Sequence, residues 1–272
     1  MSASWRTARN SSRVGDRLSS AAEDVGDHPV VTAGARAGYA VNGLLHLLIG
    51  WLGLQVAFGG TGAEADPSGA MALVANTSVG FVVLVAIVVA FALLAVWQVG
   101  QCARGPKTGD RVKAGAKAVV YLALAGSALS ILMGTGKSGQ AQANDATATL
   151  MGLPFGPALI TVAGIAVAGV GVYHIYKGWT GGFRKDLAST PSRIILIAGK
   201  VGYIAKGLAL IAVGLGIVTA GLTDRPSASR GLDGALHDMV SLPAGQVVLT
   251  LVAAGFAAYG LYSFSRARRA KT

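Results

Sequence analysis

This chain is short of charge, of acid and of cysteine. Only 13% of its 272 residues are charged, against about 25% in an ordinary soluble domain. The 12 acidic residues all lie outside the longest apolar runs, which argues against a cation-coupled transporter built on intramembrane carboxylates. The single cysteine, Cys102, excludes an intramolecular disulfide framework. It falls in a basic loop expected on the cytoplasmic side, where thiols stay reduced. There is no Walker A loop, no GxSxG, no His-Glu-x-x-His and no CxxC, so the common nucleotide, hydrolase and zinc signatures are missing. The first thirty residues are polar and lack the apolar core of a secretory signal. No cofactor and no enzymatic activity are expected.

What is present is apolar length. Hydrophobic residues make up 53% of the chain and mean hydropathy is +0.57. Six runs, 38–58, 79–99, 118–135, 156–176, 201–221 and 244–264, carry almost no charge. About 20 apolar residues match a hydrocarbon core of about 30 Å. Inside lipid, runs without alternation close their backbone hydrogen bonds as helices. The expected fold is an all-α integral membrane protein with six transmembrane helices.

The 23 Lys and Arg residues divide 20 to 3 between the two sets of loops. Arg6, Arg9, Arg13, Arg17 and Arg36 precede the first run. Arg104 to Lys117 lie between the second and third, and Lys177 to Lys206 around the fourth loop. Arg266, Arg268, Arg269 and Lys271 close the chain, while Lys137, Arg225 and Arg230 fall on the other side. The positive-inside rule puts both termini in the cytoplasm of a bacterial inner (plasma) membrane. The net charge of +11 reads as topology signal and contact with anionic lipid head groups. No recognition helix or aromatic-interleaved basic patch accompanies it, so no nucleic acid is expected. Trp97, Tyr173, Tyr176, Trp179, Tyr259 and Tyr262 fall at the cytoplasmic ends of the even runs, as an aromatic belt would.

The runs repeat. Gly80-Phe81, Leu153-Pro154-Phe155-Gly156 and Leu242-Pro243-Ala244-Gly245 each open the second run of a pair. Ser68-Gly69-Ala70-Met71, Asn144-Asp145-Ala146-Thr147 and Asp233-Gly234-Ala235-Leu236 precede them. The units are 30–104, 105–187 and 188–268, flanked by a polar tail over 1–29 and a basic tail over 269–272. Each unit has two helices, so all three insert in parallel, and pseudo-threefold symmetry about the membrane normal is the simplest packing. The outer segments Gly69–Ala75, Ala146–Gly152 and Gly234–Ser241 are expected as short surface helices. Gly164 with Ala168, Ala253 with Ala257, Ala254 with Ala258 and Gly34 with Gly38 have the small-residue spacing that lets backbones approach, within the chain or in a homo-oligomer.

Three stretches carry a family resemblance: Ala35-Arg36-Ala37-Gly38-Tyr39 with Gly43 and Gly50, Gly202-Tyr203 with Gly207, and Gly234-Ala235-Leu236 followed by Leu242-Pro243-Ala244-Gly245. In these the chain resembles DUF1206, a family of actinobacterial and related membrane proteins with three copies of a two-helix domain of unknown function. The second unit departs most, with Val119-Val120 where the others have Gly-Tyr. The resemblance implies an inner-membrane protein and implies no reaction.

Candidate functional residues are few. Treating the units as equivalent sets Arg36, Lys117 and Lys200 as a cytoplasmic triad for anions or lipid head groups. Asn42, Ala123 and Lys206 form a second set, about 9 Å deeper at 1.5 Å per residue. Lys206 either binds an anion or snorkels to the interface. His46 and His174 lie inside helices without a carboxylate partner, and a satisfied or interfacial histidine is the simpler reading than a haem or metal ligand. A polar interior is not expected. These features point first to a non-enzymatic accessory or scaffold protein that packs with lipids, a membrane-protein partner or its own copies. The alternative is a pore or carrier for a small anionic or apolar solute along the pseudo-threefold axis. Gly214-Leu215-Gly216 is a candidate weak point of the kind such carriers use.

Overall fold

The computed structural model describes residues 29–60, 64–189 and 191–269. The tail expected over 1–29, apart from Pro29, and the tail over 269–272, apart from Arg269, lie outside the described residues. The helices, in chain order, are α1 (Pro29–Ala57), α2 (Pro67–Ala75), α3 (Gly80–Arg104), α4 (Thr108–Leu132), α5 (Gly139–Met151), α6 (Gly156–Trp179), α7 (Arg193–Thr223), α8 (Gly231–Val240) and α9 (Gly245–Arg269). α1, α3, α4, α6, α7 and α9 are each long and apolar enough to cross a membrane. The short helices α2, α5 and α8 lie where the three outer segments are expected.

Every long helix is longer than its apolar run, and α1, α4 and α7 start eight to ten residues ahead of theirs. α4 starts at Thr108, so Lys113 and Lys117 stand within a helix rather than ahead of one. Lys, Arg and Ala are good helix formers, and Asp110 in the first turn opposes the positive end of the helix dipole. α7 starts at Arg193 and runs unbroken through Gly214-Leu215-Gly216. A Cβ on Gly214 would lie 2.6 Å from the Ala168 nitrogen and 2.8 Å from the Gly164 oxygen. The facing helix therefore holds what local propensity alone would loosen.

Gly80, Gly156 and Gly245 each begin the second long helix of a repeat, and each is buried. A Cβ on them would collide with carbonyl oxygens at the end of the preceding short helix, those of Val74, Met151 and Met239 respectively. The joint into each glycine differs between repeats. Gly156 N–H donates to Leu153 O at 2.9 Å and Gly245 N–H to Leu242 O at 2.8 Å. Both turns have proline second and a left-handed residue third, Phe155 at φ 61° and Ala244 at φ 58°, the pattern of a type II turn. Ser78 replaces proline in the first repeat, and Val79 relaxes to φ −102°.

Three seams join one repeat to the next: α3 with α4, α6 with α7, and α9 with α1. These are the most extensive helix contacts; α9 also packs on α7 and α1 on α3. Small residues at seven-residue spacing line the seams. Gly164, Gly171 and Gly178 of α6 face Gly207, Gly214 and the start of α7, while Gly43 and Gly50 of α1 face Gly260 and Ala253 of α9. A seven-residue repeat keeps one stripe against a left-handed supercoiling partner, and close backbone approach is how helices associate without a hydrophobic drive. Gly164 with Ala168, Ala253 with Ala257, and Gly34 with Gly38 against Leu93 and Leu94, are thus contacts within the chain.

The ring is broken within the second repeat. α4 and α6 scarcely touch, so the long helices run in the order α4, α3, α1, α9, α7, α6 with a gap between the last and the first. The core lies in the closed part: Leu45, Ile49 and Leu52 of α1, Leu84, Ile87 and Phe91 of α3, and Leu249, Val252 and Phe256 of α9 are buried together.

At the end away from the basic loops, each repeat reaches into the next. Asp233 accepts from Ala65 N–H at 2.8 Å. The Asn144 amide nitrogen reaches the carbonyls of Ser229 (2.7 Å) and Pro226 (3.1 Å). Glu64 accepts from Gly139 N–H at 2.9 Å. Asp66 caps α2, accepting from Gly69 N–H at 2.9 Å and Ser68 Oγ at 2.6 Å, as an N-cap carboxylate does. Burial pushes the Asp66 carboxyl above its ordinary value of 3.8, against the pull of the Ser68 and Gly69 bonds and with help from Glu64 and Asp233.

A cation and aromatic cluster at the basic end

The expected triad does not assemble. Arg36, Lys117 and Lys200 are all exposed, and Lys200 lies over the Trp179 ring, 4.9 Å from its centroid. The register of the second repeat is the cause. Gly178 and Cys102 stand equally far past the anchor glycines Gly156 and Gly80. A Cβ on Gly178 would meet Ile204 at 3.1 Å, and a Cβ on Gly115 would meet Cys102 Sγ at 3.5 Å. Gly115 is therefore the counterpart of Ile204, and Lys117 the counterpart of Lys206. Gly43 against Gly260 matches Gly207 against Gly171, which makes Asn42 the third member. The set of equivalent positions is Asn42, Lys117 and Lys206; Ala123 drops out of it. The buried stripe Ala114, Ala118 and Ala125 of α4 has the four- and seven-residue spacing of a single helix face, as this register requires.

Lys206 does not snorkel. Its Nζ donates to His46 Nε2 at 3.2 Å and lies over the Tyr259 ring, 4.5 Å from the centroid. His46 Nδ1 lies 2.7 Å from Asn42 O. That contact carries the ring proton, since an ammonium only donates and leaves Nε2 as the acceptor. His46 is 7% exposed and packs on Phe256 and Tyr259, at 5.8 and 4.7 Å between centroids. Asn42 Nδ2 also reaches Ser263 Oγ at 3.5 Å. His174 approaches from the other side: it stacks on Tyr203 at 5.6 Å and lies within electrostatic reach of Lys206, Lys177 and Lys117. The two histidines at unequal depth thus border one centre. Among the described residues no group of three His, Cys, Asp or Glu could hold a metal ion.

Five further residues of the cluster, Arg266, Tyr39, Lys177, Tyr203 and Asp186, are not among the candidate site residues read from the sequence. Arg266 Nη2 donates to Tyr39 Oη at 3.3 Å, with the guanidinium 4.2 Å above that ring. Lys177 lies 5.2 Å over Tyr203 and pairs with Asp186 at 2.7 Å. Arg266 and Lys177 stand equally far past Gly245 and Gly156, so the repeat could have found them. Each places a cation on the tyrosine that its seam partner carries at the matching position. At the third seam the counterparts are Gln101 and Ala114, and both halves of the pair are lost together. Tyr259 and Tyr262 do not form a belt. They are buried with Phe183 and Tyr203, and Tyr262 Oη donates to Phe183 O at 3.2 Å. Trp97 is buried as well. Only Tyr173, Tyr176 and Trp179 of the expected belt face outward. A polar interior therefore exists at this end, where none is expected from the runs alone.

This architecture is a three-repeat, all-helical bundle with six helices of membrane-spanning length. The family model for DUF1206, a domain of unknown function, matches residues 37–105, 112–181 and 201–270, and the chain belongs to that family. It is also similar to the uncharacterized protein YxxB of Bacillus subtilis (strain 168), 27% identical over 253 residues, or 88% of this chain and 90% of that protein. No solved structure matches.

Proposed function

We propose that this chain is a multi-pass protein of the bacterial inner (plasma) membrane, with both termini cytoplasmic and three parallel repeats in a pseudo-threefold arrangement about the membrane normal. It acts without catalysis, as an accessory or scaffold component that packs with anionic lipids and with a membrane-protein partner or further copies of itself. It takes no cofactor and no nucleic acid. The observation that supports this best is the filled closed half, where Leu45, Ile49, Leu52, Leu84, Ile87 and Phe91 leave their side chains buried against one another and the repeats are tied beyond them by Asp233, Asn144 and Glu64. Such a bundle offers lipid and partners its outer faces. α4 and α6 carry the largest share of these, with only 17% of each span buried.

The test is affinity purification from native membranes under mild detergent, with identification of what co-purifies. A membrane protein recovered in fixed proportion, or a stable homo-oligomer, is the expected result. Recovery of a lone monomer that moves a solute across liposomes sinks the scaffold reading. That outcome belongs to the second reading, a carrier for a small anionic or apolar solute, which draws its support from the cations gathered around Lys206.

A further inference from the structure

We propose that the cluster at the basic end is a binding site for the phosphate of an anionic lipid, which enters sideways through the gap between α4 and α6. The inference deepens the membrane reading above and rests on it.

Charge is the first reason. Lys177 and Lys206 lie over the rings of Tyr203 and Tyr259, whose centroids are 5.2 Å apart. Arg266 of α9 is within electrostatic reach of Tyr259 and of Lys117 on α4, and the carboxylate that reaches them, Asp186, is already paired with Lys177. Arg266 Nε is buried and has no hydrogen-bond partner. A buried guanidinium donor left open costs free energy unless something accepts from it. Lysine and arginine around an unfilled acceptor position suit a phosphate oxygen.

Access is the second reason. Lys117 is exposed to solvent, yet Lys177 of α6 and both Arg266 and Tyr259 of α9 lie within its electrostatic reach. A residue so surrounded is exposed only because one side of the bundle is open, and α4 and α6 are the neighbours that fail to pack. Lys113 Nζ, 5.7 Å over the Tyr173 ring, spans that opening at its basic mouth. Deeper along the same two helices, seven residues past Lys113 and three before Tyr173, Val120 on α4 and Val170 on α6 are exposed, at 55% and 47%. Cations at the mouth with apolar residues beneath them follow the order of a lipid, head group above acyl chain. A free anion has no use for the apolar part.

Native mass spectrometry of the full chain, released from nanodiscs made with equal phosphatidylglycerol and phosphatidylcholine, tests this. Phosphatidylglycerol should be retained in preference. The double variant Lys117→Gln with Lys206→Gln should retain it about thirtyfold less, as loss of two lysine contacts at about 1 kcal/mol each implies, with phosphatidylcholine unchanged. Lys117→Arg with Lys206→Arg should restore retention, which separates charge loss from misfolding. A phosphatidylglycerol with a photoreactive acyl chain should label α4 and α6. Equal retention of the two lipids, no loss in the Gln variant, or labelling confined to other helices overturns the proposal. So does complete displacement of phosphatidylglycerol by millimolar inorganic phosphate, which would make the ligand a free ion. None of these outcomes bears on whether a partner protein co-purifies.

Discussion

The seams α6/α7 and α9/α1 are built alike, and the seam α3/α4 is not. In the first two, glycines at seven-residue spacing bring backbones together and a cation lies on the partner's tyrosine: Lys177 on Tyr203, Arg266 on Tyr39. In the third, Val88, Ala95 and Cys102 stand at the small-residue positions, and Gln101 with Ala114 replaces the cation and the ring. The difference teaches that these residues change as sets. A cation taken out of water needs its ring or a counter-ion, and a ring needs room, so neither half persists without the other. The repeat with the altered seam is also the one whose two long helices have parted.

Breaking a glycine seam should have the largest effect. Gly214→Leu drives a side chain into Ala168 and Gly164 and should destabilise by about 3 kcal/mol, at the upper end of overpacking costs. The same change at Gly126 or Gly169, where a Cβ meets nothing within 4 Å, should leave the thermal midpoint in detergent nearly unmoved. Next comes the cation pair: Arg266→Ala should cost about 2 kcal/mol, the worth of a desolvated cation on a ring, and Gln101→Ala much less. Installing Gln101→Arg together with Ala114→Tyr sharpens the comparison. A coupling of about 1 kcal/mol in a double-mutant cycle would show that the third seam lacks only the pair.

The acidic joint supplies a pH signature. Because the Asp66 pKa is raised on folding, the folded state holds that proton more tightly than the unfolded one. Stability from this group is greatest below the ordinary value of 3.8 and falls as pH rises from there through the raised folded value. Asp66→Asn should flatten that part of the unfolding profile. The smallest effect belongs to the turns. Ala244→Gly relieves a left-handed alanine and should stabilise by up to about 1 kcal/mol. Val79→Gly, at the matching relaxed position, should destabilise by a similar amount, and the difference in thermal midpoint reads the sign.

Much of this architecture was legible in the residues. The anchors Gly80, Gly156 and Gly245 are required because each meets the end of a short helix, a local constraint that leaves an invariant mark. Apolar length located the six long helices, and the three outer segments read correctly as short helices. The second repeat's register was not legible. Its Gly-Tyr landmark is gone, and what holds the register is a stripe of alanines, Ala114, Ala118 and Ala125, indistinct in an alanine-rich run. The buried tyrosines were misread for a related reason. A tyrosine near a basic boundary looks the same whether it faces lipid or a cation on the neighbouring helix, and only packing tells Tyr259 from Tyr176. His46 and Lys206 looked unpartnered because each is the other's partner across 160 residues.

The most direct test asks which residue of α4 shares a centre with Lys206. In a Cys102→Ser background, the pair Lys117→Cys with Lys206→Cys should be joined within one chain by a short bis-maleimide, and the pair Ala123→Cys with Lys206→Cys should not. Efficient linking of the second pair, with none of the first, would contradict the register, and with it the convergence of lysines on which the site depends.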